Sequence, residues 1–492
     1  MTALTERADV VVVGGGPAGS TAATLIARRG HRVVLLERDS FPRYQIGESL
    51  LPATVHGVCR LLGVEDELAQ AGFTVKRGGT FRWGTNPEPW TFQFASSARM
   101  DGPTSFAYQV ERTKFDAILL RNAARNGVDV RELAQVVSVQ TACGSVSGVA
   151  YHDKDGINRV IESQYVVDAS GNTGTVHRNV GGERVYSPFF RNIALFGYYD
   201  GGKRMPEPRS GNILSAAFSD GWFWYIPLSD TLTSVGAVVR RESADLVRGD
   251  RGAALNSLVS ACPLIADMLG GATMCTTAPY DEIRIRKDYS YCGTRFWRPG
   301  MALVGDAACF VDPVFSSGVH LATYSALLAA RSINSVLAGD VRESDAFAEF
   351  ERRYRREYRL FYEFLLSFYE MDQQEESYFW NAKRVTGSNV SELEAFVELV
   401  GGVASDEQVL ARSAAEIADR TTRNADLLAA AIGDDAAGNS TGSLLSTGSF
   451  DEVMGEGARM QAHSLLGNGF TDTPLFEGGL AGSADGLGWV RA

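Results

Sequence analysis

Residues 8–38 read ADVVVVGGGPAGSTAATLIARRGHRVVLLER, and the fold is decided here. Val10 to Val13 form an apolar run short enough for a buried strand. Gly14, Gly16 and Gly19 follow at once in a G-x-G-x-x-G pattern, and the residues from Ser20 favour a helix that ends at Gly30. A second apolar strand then runs to Glu37. Each part has a mechanical reason. The glycines allow a tight turn, close backbone approach to a pyrophosphate and close helix packing, and the helix N-terminus stabilises the negative charge. Glu37 is placed to accept both ribose hydroxyls. The glycine pattern alone is a weak signal, but strands on both sides and an acid at the right distance make it a dinucleotide fingerprint. The expected class is α/β, opening with a Rossmann-like sheet.

The fingerprint does not separate NAD from FAD; two later segments favour FAD. YVVDASGNTG, residues 165–174, is a strand ending at Asp168 and turning through Gly171, suited to passing close to an adenosine. Residues 300–333 read as strand, Gly305-Asp306, loop and a helix starting near Gly318. Asp306 suits a ribityl hydroxyl, and the free amides of Ser317, Gly318 and Val319 would point at the electron-rich pyrimidine edge of a flavin. Ala18 and Arg43 complete the set of expected cofactor contacts.

At 492 residues the chain is long for a single core, so two or three lobes are expected. Hydrophobic residues at 45% and charged residues at 22% describe a soluble globular protein. A net charge of −12 argues against nucleic acid or an anionic membrane as the main partner. The six cysteines contain no C-x-x-C pair, so neither a disulfide framework nor a metal site is expected. MTALTERAD leads straight into a strand without room for a signal peptide, and no apolar run reaches the roughly 18 residues of a membrane span, so a cytoplasmic location is expected.

GWFWYIPLSD, residues 221–230, sets Trp222 and Trp224 on one face of a strand with Ile226 behind them. The plain reading is a half-buried core strand. Taken with FPRYQIGESLLPATVHGVCRLLG (41–63) and AGFTVKRGGTFRWG (71–84), however, it makes the chain similar to the flavin-dependent halogenases from about residue 8 to at least 380. The pattern is more like the branch that halogenates phenols or pyrroles held on acyl or peptidyl carrier proteins. The resemblance implies an FAD-binding domain with an inserted antiparallel-sheet substrate domain, as in the aromatic hydroxylases, and a helical C-terminal region. It also implies a mechanism in which reduced FAD (FADH2) and O2 give a flavin hydroperoxide, chloride attacks it, and hypochlorous acid travels to Lys76 beside the substrate. Trp222 and Trp224 would keep the substrate off the flavin, and amides at Ser317 and Gly318 would bind chloride. By residue type alone Lys76 is a surface lysine and Ser317 a helix N-cap. No second G-x-G-x-x-G follows a strand, so a separate flavin reductase is expected. The sequence departs from the halogenases of free tryptophan, which carry a glutamate where Phe315 stands; this speaks against free tryptophan and leaves open which residue takes the proton from the ring, and a phenolic ring is the expected substrate. The competing readings are an FAD-dependent aromatic hydroxylase using NAD(P)H, which should lack the tryptophan pair, and a flavin-binding module without turnover, against which Lys76 and Ser317-Gly318 speak.

The expected organisation is a core over 1–335 with the substrate lobe inserted at about 40–105 and 175–270, a helical region over 336–430, and a Gly/Ser-rich, loosely ordered tail over 431–492. TFRWGTNPEPWTFQF and TLTSVGAVVRR alternate as strands do. In the helical region Phe347, Phe350, Tyr354, Tyr358, Phe361, Leu365 and Phe368 make an aromatic stripe, read as core packing with a pocket lining as the alternative. Arg352, Arg353, Arg355, Arg356 and Arg359 read as a solvated face, although four of them, all but Arg353, could together dock an acidic carrier protein. Phe470, Leu475, Phe476 and Trp489 are the candidate anchors of the tail.

Overall fold

The computed structural model describes residues 5–83, 88–97, 99–100, 102–369, 390–404 and 474–491. The opening stretch folds as its pattern predicts, into strand Val10–Val13, helix Pro17–Ala27 and strand Val33–Leu36. These strands sit in a six-stranded sheet ordered Trp297–Arg298, Met301–Leu303, Tyr165–Asp168, Val10–Val13, Val33–Leu36, Asp129–Arg131. All neighbours are parallel except the first pair. Helices Ser317–Ala338 and Arg112–Arg125 pack on Pro17–Ala27. Gly14 adopts φ +102°, and a Cβ there would meet the Ala169 carbonyl oxygen at 2.5 Å, so this turn accepts only glycine.

The second lobe is a nine-stranded sheet, antiparallel except where Ile213–Phe218 runs parallel to Gly78–Arg82. The strands read from alternation appear as Gly78–Arg82, Trp90–Gln93 and Leu232–Val239. The sheet also takes in Arg284–Gly293 and Cys309–Phe310, beyond the stretches whose alternation suggested it. Its central strand, Gly221–Pro227, is buried along its whole length, not half-buried as the plain reading had it. One face carries Trp222, Trp224 and Ile226 into the main core. The other carries Phe223 and Tyr225 into a second core with Leu255, Leu258, Cys262 and Ile265, from helices Arg251–Ser260 and Pro263–Met268 and the link between them. Opposite Trp224 in the register stands Gly236, where any Cβ would overlap the indole.

Helix Glu343–Phe368 buries Phe347, Phe350, Tyr354, Phe361, Leu365 and Phe368, with Tyr358 partly covered, so the stripe is core packing. Its arginines are not a uniform solvated face. Arg353 is buried, with Nε donating to Glu349 Oε1 at 2.7 Å and Nη2 to the Leu480 carbonyl at 2.6 Å. Arg355 turns inward, donating to Glu351 Oε1 at 2.8 Å and to the Gly293 carbonyl at 2.9 Å with its guanidinium over the Phe296 ring. Arg352 pairs with Glu349 and covers Phe476, while Arg359 keeps a side chain that is 72% exposed. Of the four arginines read as a docking face, Arg352 and Arg359 stay exposed and Arg355 and Arg356 are half-buried.

Of the tail expected over 431–492, residues 474–491 are described and the stretch before them lies outside the described residues. Residues 474–491 form a hairpin of Leu480–Gly482 with Trp489–Arg491, and Trp489 is buried between the guanidinium groups of Arg331 and Arg353. Its backbone N–H donates to Ser335 Oγ at 2.7 Å and its indole N–H to Ser332 Oγ at 2.9 Å, both on helix Ser317–Ala338. Of the expected anchors, Trp489 and Phe476 make contact; Phe470 lies outside the described residues. Among the described residues no helix is long and apolar enough to cross a membrane.

Trp489→Ala removes the ring that covers two buried guanidinium groups and should destabilise the protein by about 3–5 kcal/mol in urea denaturation. It should also make the C-terminus the first site of limited proteolysis. Gly236→Ala overpacks the sheet against Trp224 and should cost about 1–3 kcal/mol. A near-ultraviolet circular dichroism change in the indole bands should accompany that loss.

Candidate active site

A cavity of about 620 Å³ lies between the lobes. One side is the glycine turn with Gly14, Gly16 and Ala18, then Glu37, Arg43, the turn from Ala169, Gly305 and Asp306. The other side is Trp222, Trp224 and Ile226, with Gly318 and Val319 at one end. Nine of the expected cofactor contacts thus face one space. Gly19 and Asp168 do not line it. Gly19 packs so closely on the Gly14 carbonyl that a Cβ would overlap it, which holds the helix against the turn. Asp168 sits behind its turn, where Oδ1 accepts the Ser170 N–H at 2.9 Å and burial pushes its carboxyl up to about 6.

Each lining group is set by local structure. Glu37 accepts the Gly15 N–H at 2.6 Å on one oxygen and the Asp39 N–H at 2.8 Å on the other, so its carboxylate is fixed at the end of its strand. Arg43 pairs with Asp116 at 3.1 Å and reaches so near Gly16 that a Cβ there would stand 3.1 Å from Nη2, placing positive charge beside the glycine turn. Desolvation pushes the Asp306 carboxyl up to about 6.

Helix Ser317–Ala338 begins without a side-chain cap, because Ser316 before it adopts the left-handed conformation at φ 60°. Ser317 is therefore the first helical residue and not the N-cap. Its side chain is buried, and Ser316, Gly318 and Val319 are the neighbours that meet the cavity. The first amides of the helix stay open at that end, a ready place for an anion or for electron-rich ligand atoms. Asp312 shapes the approach by accepting the Val314 N–H at 3.0 Å.

The tryptophan pair stands as the strand period requires, with ring centroids 6.2 Å apart. Trp224 donates to Ser234 Oγ at 3.1 Å. Trp222 donates to Tyr369 Oη at 2.6 Å, which donates in turn to Asp312 Oδ2 at 2.7 Å. The wall is thereby tied to the loop that leads into the open helix end.

Lys76 is no surface lysine. It is 3% exposed at the end of strand Thr74–Lys76, and Nζ donates to Ser49 Oγ at 2.9 Å and the Leu50 carbonyl at 3.0 Å, 5.6 Å from the Phe94 ring centroid. Burial lowers its pKa to about 7, so the neutral amine is available near neutrality. Ser49 lines the cavity and Lys76 stands directly behind it. Phe315 closes an aromatic cluster with Phe364 at 5.1 Å and Phe368 at 4.8 Å.

Sequence reasoning missed Glu48, Tyr198, Asp312 and Tyr369. Glu48 was legible as an acid inside the apolar stretch QIGESLLP, and Asp312 as an acid before a proline; Tyr198 and Tyr369 reach their partners only through the tertiary fold.

A model of the family described as tryptophan halogenase matches residues 9–103 and 96–427. The tryptophan 2-halogenase of Chondromyces crocatus is 36% identical over 412 residues, which span 81% of this chain and 76% of that protein. Among solved structures, the myxobacterial chondrochloren halogenase CndH is 60% identical with a TM-score of 0.73, covering 82% of this chain and 92% of that one. The flavin-dependent halogenase CmlS is 36% identical with a TM-score of 0.69, covering 76% and 67%. With the glycine turn, the flavin-sized cavity and the open helix end in one place, this chain belongs to the tryptophan halogenase family and is a flavin-dependent halogenase, an oxidoreductase whose cofactor is FAD.

Proposed function

We propose that the enzyme chlorinates an electron-rich phenolic ring carried on an acyl or peptidyl carrier protein, as a step in natural-product biosynthesis, with a separate reductase supplying FADH2. The observation that carries this reading is the buried amine of Lys76, enclosed directly behind a cavity walled by Trp222 and Trp224. FAD in its reduced form supplies, with O2 and chloride, the hypochlorous acid. The glycine turn and Arg43 would hold its pyrophosphate, Glu37 a ribose and Asp306 the ribityl chain. The open amides at Ser317 and Gly318 would hold chloride.

The wall excludes a ring from the cavity while a small electrophile passes toward Ser49 and Lys76. There the amine donates a hydrogen bond to hypochlorous acid or takes up its chlorine, and so orients it. Phe315 and its aromatic neighbours supply apolar surface and no base, which suits a phenol because its own hydroxyl feeds electron density into the ring and can shed a proton. Carrier tethering is supported by the sequence likeness to that branch.

Carrier proteins loaded with a hydroxyphenyl acyl group, incubated with enzyme, flavin reductase, NADH, O2 and chloride, should gain the mass of chlorine for hydrogen in intact-protein mass spectrometry. Free phenols chlorinated while loaded carrier is left untouched would refute the tethering. Lys76→Ala should lower chlorination by at least about 100-fold, while reduced FAD still consumes O2 and hydrogen peroxide accumulates. Because the lysine pKa is lowered to about 7, the acting amine is protonated below that pH and free above it. If the free amine takes up the chlorine, wild-type chlorination shows a rising limb centred near pH 7 and Lys76→Arg is inactive at every pH; hydrogen-bond donation alone would instead keep activity below pH 7 and in Lys76→Arg.

A further inference from the structure

The two indoles of the wall are held in different ways. Trp224 donates to Ser234 on the neighbouring strand of its own sheet, whereas Trp222 reaches out of the sheet to Tyr369, the residue that follows helix Glu343–Phe368. The Tyr369 hydroxyl accepts the Trp222 indole N–H at 2.6 Å and donates its own proton to Asp312 Oδ2 at 2.7 Å. Asp312 Oδ1 accepts the Val314 N–H at 3.0 Å and so starts the short turn Pro313–Phe315, after which Ser316 takes its left-handed conformation and the helix end opens. Trp222, Pro313 and Ser316 line the cavity; Tyr369 and Asp312 are not among its lining residues and join the other three from behind.

Ring packing alone does not call for that hydroxyl. Tyr369 lies against Phe190, with ring centroids 5.2 Å apart, and against Trp83 at 5.5 Å, contacts that a phenylalanine would make equally well. A phenylalanine would also strip the Trp222 N–H and Asp312 Oδ2 of the same partner at once, and both belong to buried side chains. We propose that Tyr369 is a positioning residue for halogenation. Its one hydroxyl ties the orientation of the Trp222 indole to the conformation of the loop that opens the helix end, so that exclusion of the substrate ring and capture of chloride depend on each other.

Charge gives the effect its sign. Asp312 is buried, and desolvation pushes its carboxyl up to about 6, so it is ionised at neutral pH. It stands just before the open amides that would hold chloride, where a bare carboxylate opposes an anion. The Tyr369 hydroxyl, the Val314 N–H and, at 3.5 Å, the Asn192 side-chain amide take up that negative charge. Linkage then runs both ways: an anion that favours the loop conformation in which Tyr369 bonds Asp312 must tighten the Trp222 bond by the same factor. Trp224, tied within its own sheet, has no such connection to the loop.

This inference rests on the chloride site proposed above, and its test separates the two. Ultraviolet resonance Raman spectra of the FAD-bound protein, with Trp222→Phe as the reference that isolates the Trp222 band, should show a strongly hydrogen-bonded indole N–H that strengthens further as chloride is added. In Tyr369→Phe the band should move to the position of a weakly bonded N–H and stop responding to chloride. That variant should bind FAD within about twofold of wild type, yet raise the KM for chloride about tenfold and lower the chlorinated product per reoxidised flavin, with hydrogen peroxide making up the difference. Trp222→Phe and Tyr369→Phe combined should raise the chloride KM no further than the larger single effect, since both break one chain. A wild-type enzyme that chlorinates while its Trp222 band ignores chloride overturns the coupling. So does a Tyr369→Phe enzyme with wild-type chloride KM and product yield, or one whose FAD affinity falls as far as its chloride affinity, which returns the tyrosine to core packing. A wild-type enzyme that makes no chlorinated product sinks the halogenation reading instead, and the coupling then stands or falls on whether the band follows chloride.

Discussion

Burial of the strand Gly221–Pro227 on both faces is the constraint on which the rest of the site depends. A strand with one polar face finds its register because a one-residue slip exposes its apolar side. Here both faces are apolar, and a slip would exchange Trp222 and Trp224 for Phe223 and Tyr225 without exposing anything. Space decides instead. Gly236 on the neighbouring strand leaves room for the Trp224 indole, and the hydrogen bonds of Trp222 to Tyr369 and Trp224 to Ser234 can form in one register alone. From that register follow the cavity wall, the position of Asp312 and the entry into the open helix.

The second feature is that burial has moved several ionisable groups toward neutrality. Lys76 and Glu48 are each brought to about 7, from opposite directions, and Asp168, Asp306 and Asp312 to about 6. Desolvation is the leading cause in every case. Glu48 and Asp306 line the cavity, and Lys76 stands behind Ser49 on its wall. The unpaired oxygen of Glu48 and the singly buried amine of Lys76 are carried by a rigid surround of Tyr198, Ser49 and the aromatic cluster.

The C-terminal segments stabilise the flavin lobe from outside. Helix Glu343–Phe368 lays its aromatic stripe on helix Ser317–Ala338, and the final hairpin inserts Trp489 between Arg331 and Arg353 on the two helices. Two guanidinium groups that would be costly to bury bare are covered by an indole and tied to backbone carbonyls. The same helix that presents its open end to the cavity is thereby clamped near its far end.

The sequence by itself determined the α/β class, the dinucleotide turn, the flavin-side helix and the pairing of Trp222 with Trp224, because each depends on local geometry: glycine where a Cβ would collide, an acid at a fixed distance along a strand, side chains repeating every second residue. It also named Lys76, though as a resemblance, since nothing in the neighbouring residues says that this lysine is buried. The tertiary structure alone decided what that lysine touches, which oxygen of Glu48 is free, that Asp168 shapes its turn from behind, that Ser317 is not a cap, and that Arg353 within the arginine run is buried. The contacts of the lysine, of Glu48 and of the buried arginines turn on partners 26 to 155 residues away in the chain, such as Leu50 for Lys76, Tyr198 for Glu48 and Gly486 for Arg331. Burial and charge state are set by such distant neighbours, and local pattern carries no record of them.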